Sequence, residues 1–371
     1  MISSTLRALS IGATGLLLAG TAVAQSSSGM SPDARPPMFR TSAKEMPPRT
    51  NADMQRVLDA LALLGAKPVQ KLTPAQARAQ ASPADAVKAV MKARGMSTAP
   101  DASVVTRELA YGPDPMQHVR IYRPAAAPRG PLPLIIYYHG GGWVIADLDV
   151  YDSAPRMMSK KLNALVVSVE YRHAPEAKFP AQHNDALSAY RWVLNNSRGW
   201  GAEASRMAFA GESAGGNLAI ATAIAARNQQ LPMPRAILSV YPIADSRTNL
   251  PSRITNANAK PLNTPMLAWF GHYYTRTKAD LKDPRVNLVK ADLHGLPPVT
   301  IVNAQIDPLL SDGINLAAAL RRAGVPVEQR TFLGVTHEFF GMGSVVRGAA
   351  LANEYAVSRL RPALLPKAPR R

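Results

Sequence analysis

Cysteine is absent from all 371 residues, which excludes disulfides, thiolate metal sites, a cysteine nucleophile and lipidation of an N-terminal cysteine. Stability must therefore come from packing. Acidic side chains are scarce, with 25 Asp+Glu against 43 Lys+Arg, and the formal net charge is +18. Such an excess invites nucleic acid or an anionic surface. The basic residues are scattered, however, and only the tail Lys367-Ala368-Pro369-Arg370-Arg371 packs them closely. No basic helix and no aromatic-basic module accompanies them, so a nucleic-acid partner is not expected. Internal repeats are also missing. Hydrophobic residues at 47% and charged residues at 18% exclude global disorder and fibrous repeats and point to a packed globular protein.

Only one apolar run is long. It spans residues 8–22, follows the lone charge of Arg7, and leads to Ala22-Val23-Ala24, with small residues where a signal peptidase reads. Gly12, Thr14, Gly15 and Gly20 interrupt it, and it falls short of the roughly 20 residues needed to span a bilayer. We expect cleavage after Ala24, export to the periplasm and no stable membrane anchor afterwards. The next stretch, Ser-, Pro- and Met-rich to Arg49, lacks apolar periodicity; a disordered tether is expected over residues 25–52.

The largely helical spacing of Met54, Val57, Leu58, Leu61, Leu63 and Leu64, and the helix-start signals Thr73-Pro74 and Ser82-Pro83, predict N-terminal helices within residues 53–100 that cannot form a stable core alone. The pattern then changes. Residues 104–110 and 118–122 alternate as an antiparallel pair. Residues 134–138, 165–169, 207–210, 236–241, 299–303 and 327–332 form more continuous apolar runs separated by helices at 151–162, 181–195, 214–226, 314–323 and near the C-terminus. This alternation predicts an α/β fold with a mostly parallel sheet of about eight strands over residues 101–371. An insertion at about 244–290, with a helix at 265–274, is expected to lie over the sheet edge.

The chemistry-bearing residues cluster at predicted strand ends. Gly211-Glu212-Ser213-Ala214-Gly215 follows one strand and opens an Ala-rich helix. That strand-to-helix corner would project the Ser213 hydroxyl beside a helix N-terminus, where amides favour developing negative charge. His139-Gly140-Gly141-Gly142-Trp143 ends another strand. Its glycines let backbone amides approach an oxyanion, so Gly141, Gly142 and Ala214 are the candidate donors. A phosphate loop is excluded because no Gly-Lys-Ser or Gly-Lys-Thr follows. Serine needs a base and an orienting acid. Of the seven histidines, His337 follows the last predicted strand and comes last in chain order. For the acid, Asp307 sits just past the strand at 299–303, with Asp312 and Glu212 as alternatives.

Taken together, His139-Gly140-Gly141-Gly142-Trp143, Gly211-Glu212-Ser213-Ala214-Gly215-Gly216, Tyr171-Arg172-His173-Ala174-Pro175-Glu176, Asp307-Pro308-Leu309 and Gly334-Val335-Thr336-His337 resemble the bacterial hormone-sensitive-lipase-like branch of the α/β-hydrolases. The resemblance runs from about Met54 to near the C-terminus. It implies Ser213 as nucleophile, Asp307 and His337 as its partners, and the amides of Gly141, Gly142 and Ala214 as oxyanion hole. It also implies that the N-terminal helices and the insertion form a cap shaping an acyl pocket. His139, Gly140 and Glu212 support the motifs. Glu212 stands where the branch often has Asp, His173 where it often has Leu, and Glu338 where Gly is common. Glu338 is expected as a solvated residue in a first helical turn, with contact to His337 as the alternative. Asp185 is expected to make structural hydrogen bonds. The function implied is an exported carboxylesterase acting on a small-molecule acyl ester without cofactor or metal. A deacetylase or amidase would use the same residues, and an inert binding module is a remote alternative.

Overall fold

The computed structural model describes residues 49–365. The expected signal peptide, most of the expected tether and the basic tail lie outside them. Eight strands form one sheet: β1 Val104–Ala110, β2 His118–Pro124, β3 Leu132–Tyr138, β4 Leu165–Val169, β5 Ala202–Glu212, β6 Ala236–Val240, β7 Val299–Ile306 and β8 Val327–Thr336. Their spatial order is β1-β2-β4-β3-β5-β6-β7-β8. β2 pairs antiparallel with both β1 and β4, and every other pairing is parallel. The helices are α1 Ala52–Leu63, α2 Pro74–Ala79, α3 Pro83–Ala93, α4 Ser153–Leu162, α5 Ala181–Asn196, α6 Ala214–Asn228, α7 Pro251–Thr255, α8 Thr264–Tyr274, α9 Leu310–Arg322 and α10 Arg347–Leu364.

β3 reads Leu-Pro-Leu-Ile-Ile-Tyr-Tyr and is buried along its whole length because helices cover both faces. Leu134, Ile136 and Tyr138 join the core packed with α5, α6 and α9, while Ile135 and Tyr137 join the one packed with α4 and α10. α6 lies close against the sheet because its residues are small. A Cβ on Gly215 would lie 1.9 Å from the Tyr138 carbonyl oxygen. α2 and α3 open with the capping boxes of Thr73 with Gln76 and Ser82 with Asp85, each followed by proline at the first helical position.

Three expectations need correcting. β7 and β8 continue past residues 303 and 332, so Asp307 and His337 each follow a strand directly and no loop intervenes. The pairing persists through an irregularity between Ala304 and Ile306, which lets polar residues extend both strands. The tether was expected to reach residue 52, yet Asn51 is already fixed. Its amide donates to the Gly334 carbonyl at 2.8 Å and its side-chain amide to the Leu333 carbonyl at 3.0 Å. Gly334 has φ +68°, and a Cβ there would meet the Asn51 side chain at 2.3 Å. One residue into α1, the Asp53 carboxylate accepts from the Arg347 amide at 2.7 Å.

Candidate active site

Ser213 stands at the corner between β5 and α6 with φ 57° and ψ −118°, a conformation disfavoured for a residue bearing a side chain. The corner is tight on both sides: a Cβ on Gly211 would lie 2.2 Å from the Gly215 carbonyl oxygen. Glycine at both places allows the turn. The Ser213 amide donates to the Val240 carbonyl at 2.8 Å, which ties the corner to β6.

The structure brings Ser213, His337 and Asp307 into one hydrogen-bonded row. Ser213 Oγ lies 2.9 Å from His337 Nε2, and His337 Nδ1 lies 2.7 Å from Asp307 Oδ2. Asp307 is fully buried, its Oδ1 accepts from the Leu309 amide at 2.8 Å, and its carbonyl accepts from Asn256 at 3.0 Å. Burial would lower the His337 pKa, but Asp307, Glu338 and Glu212 together hold it above the ordinary value. In such a row the carboxylate fixes the Nδ1–H tautomer, leaving Nε2 to accept the serine proton.

The candidate oxyanion donors lie beside it. The amides of Gly141, Gly142 and Ala214 have no acceptor among the described residues. For Ala214 this follows from its place in the first turn of α6. Gly141 has φ +90° and Gly142 φ +60°, and a Cβ on Gly142 would strike the Phe270 ring at 2.3 Å. Gly140 is equally confined, with the Tyr151 hydroxyl 2.1 Å from where its Cβ would be. His139 sits beneath the glycines: its ring stacks on Tyr171 at 4.4 Å, and Nδ1 lies 2.9 Å from the Gly140 carbonyl oxygen.

The two alternative acids lie elsewhere. Asp312 accepts from the Ala244 and Asp245 amides and from Arg253, and burial raises its pKa to about 6. It secures the segment after β6. Glu212 accepts from the Tyr137 hydroxyl at 2.5 Å and from that of Tyr241, and burial raises its pKa to about 7. Asp185 accepts from the Arg172 amide and guanidinium and from Gln117, a structural role.

Glu338 corrects its sequence reading. It has φ 70°, precedes a 3₁₀ turn, and its side chain is only 19% exposed. Its carboxylate accepts from the Tyr151 hydroxyl at 2.7 Å and lies 3.9 Å from His337 Nε2. Burial raises its pKa, opposed by His337 and Tyr151. Tyr137 and Tyr241 were not singled out in the sequence, since a tyrosine within an apolar run reads as core, and Tyr151 read only as the start of a predicted helix. The paired carboxylates Glu212 and Glu338 were the available signal, because buried acids need donors.

The row opens into a cleft of about 950 Å³. Gly141, Gly142, Ser213 and His337 form its floor, and Leu58, Leu61, Leu262, Met266 and Phe270 contribute apolar walls. Trp269 and Tyr273, on the same helix as Phe270, do not line the cleft. The Trp269 indole N–H donates to the Leu72 carbonyl at 2.9 Å, and the Tyr273 ring packs against Trp269 at 4.8 Å.

The profile of the alpha/beta hydrolase fold family matches residues 135–341. Esterase LipI of Mycobacterium tuberculosis is 38% identical over 249 residues, covering 66% of this chain and 78% of its own length. An ethyl acetate hydrolase of Pseudomonas putida is 34% identical over 253 residues, covering 67% of this chain and 78% of its own length. Among solved structures, a thermostable esterase from Pseudomonas putida superposes with a TM-score of 0.76 at 28% identity, covering 86% of this chain and 99% of its own.

Proposed function

Because this chain belongs to the hormone-sensitive-lipase-like carboxylesterases of the α/β-hydrolase fold and is a serine hydrolase acting on ester bonds, we propose that Ser213 is its nucleophile, with His337 as general base and Asp307 as orienting acid. Ser213 Oγ attacks the ester carbonyl while His337 Nε2 takes its proton. The amides of Gly141, Gly142 and Ala214 receive the oxyanion of the tetrahedral intermediate. His337 then protonates the departing alkoxide and next deprotonates water, which releases the acid and restores Ser213. The observation that carries this reading is the 2.9 Å and 2.7 Å row at the floor of a largely apolar cleft.

Substrates in this reading are soluble esters of short to medium acyl chains, roughly two to eight carbons. Each buried methylene contributes about 0.8 kcal/mol until the cleft is full. The N-terminal arrangement of Arg7, apolar run and Ala22-Val23-Ala24 supports export to the periplasm, with a mature chain beginning at Gln25.

A panel of p-nitrophenyl esters tests the substrate class. The expected kcat/KM climbs with acyl length and then collapses; a steady rise through about sixteen carbons with activation at an emulsion surface overturns it. A serine-directed organophosphate should inactivate the enzyme and leave its adduct on Ser213. N-terminal sequencing of protein from its host tests export, and an intact Met1 on a cytoplasmic product defeats it.

A further inference from the structure

A second cluster of chemistry-bearing side chains lies outside the Ser213 row. His139, Glu170 and His173 are all buried, at 0%, 1% and 7% exposure. One potential ligand atom from each lies within 4.8 Å of the other two. His139 Nε2 is 3.0 Å from Glu170 Oε1, and His173 Nε2 is 3.1 Å from the same oxygen. These separations approach the roughly 3.3 Å between neighbouring ligands of a tetrahedral zinc ion with bonds of about 2.0–2.1 Å.

Other contacts set the orientation of His139 and Glu170. In the tautomer whose Nδ1–H donates to the Gly140 carbonyl at 2.9 Å, His139 Nε2 is free to bind a metal in place of its 3.0 Å hydrogen bond to Glu170 Oε1. Glu170 Oε2 accepts from the Leu148 amide at 3.2 Å, which turns Oε1 towards the two histidines. His173 Nε2 is close to that oxygen but off the line of a hydrogen bond, and has no hydrogen-bond partner among the described residues although it is buried. Two imidazole nitrogens and a carboxylate oxygen thus converge, with backbone contacts behind His139 and Glu170, the kind of outer support metal ligands receive. Glu170 and His173 also line the cleft, so an ion can arrive from solvent and retain a water ligand.

We propose that His139, Glu170 and His173 form a zinc-binding site, with cleft water completing the coordination. Two imidazoles and one carboxylate suit Zn²⁺ in ligand type and number. Since His139 directly precedes the glycine run, bound zinc ties the Gly140–Gly142 loop to the segment after β4. The role is structural, and ester hydrolysis by the Ser213 row proceeds without it.

The test is a calorimetric titration of Zn²⁺ into the metal-free full chain, with wild type, His173→Leu and the exposed-site control His294→Ala. Wild type and His294→Ala should each bind about one equivalent and gain thermal stability with zinc. His173→Leu should lose both while keeping the wild-type far-ultraviolet circular dichroism and a cooperative metal-free melting transition, which shows that it folds. Co²⁺ added to wild type should give the visible absorption of a four- or five-coordinate ion, which His173→Leu should lack. Absence of zinc binding by wild type overturns the proposal, and so does equal binding by wild type and His173→Leu.

Discussion

At the C-terminal edge of the sheet, Ser213, Asp307 and His337 are all buried and joined by directional hydrogen bonds to one another and to backbone. In the helices over that edge, Leu58 and Leu61 of α1 and Met266 and Phe270 of α8 meet the same cleft through apolar side chains. The edge can perform one chemistry in one geometry, and an ångström of displacement ends it. The overlying helices act through shape and area, so their contribution comes in increments and a substitution regrades it.

Removing the proposed nucleophile should produce the largest effect. Ser213→Ala should lower kcat by about 10⁶-fold with an unchanged melting curve, and His337→Ala by a similar amount, because the members act as a unit. Near-wild-type rates in a folded His337→Ala would break the contrast at its centre. Asp307→Asn should cost about 10⁴-fold by favouring the wrong tautomer, as measured by initial rates on a short-chain ester.

Phe270→Ala probes the other region. It deletes a wall against Gly142, so the acyl length of maximal kcat/KM should move upward and short esters should lose about tenfold, roughly the worth of a methylene or two. A loss as large as that of Ser213→Ala would show that α8 also holds the edge in place.

The smallest effect concerns pH. As the proposed base, His337 can accept the serine proton only when neutral, and its pKa is raised, so the kcat/KM profile should rise with pH through a value above the ordinary imidazole value of about 6.5. Glu338→Gln removes an anion that favours imidazolium, so the rising limb should move to lower pH with little change in the plateau. A limb that stays in place would mean that Glu338 reaches His337 only through packing.

The same contrast governs what could be read from sequence. Edge residues announce themselves through local necessity: only glycine at 211 and 215 fits the Ser213 corner, and the positive φ of Gly141 and Gly142 favours the glycine run. The apolar runs of β3 and β4 were legible because strands covered on both faces carry few polar positions. The ends of β7 and β8 were not, since a residue such as Thr336 looks like loop until a neighbouring strand pairs with it. The Tyr137–Glu212–Tyr241 and Tyr151–Glu338 bonds join residues 29 to 187 positions apart, and nothing local marks such partners. For α8, helical spacing revealed the element but not the rotation that sends Phe270 to the cleft and Trp269 to Leu72.

The attachment of Asn51 to Gly334 turns the start of the fold into a mechanical handle on its chemistry. Gly334 stands three residues before His337 on the strand that carries it, and Asn51 grips the carbonyls of Leu333 and Gly334. Tension applied at the N-terminal side, by a fused domain or a solid support, should therefore reach the strand that leads to His337, the proposed base, through a single residue. A carrier joined through α10, at the opposite chain end, pulls instead on a helix packed along the sheet, and the two modes of immobilisation should leave enzymes of different activity on the same bead.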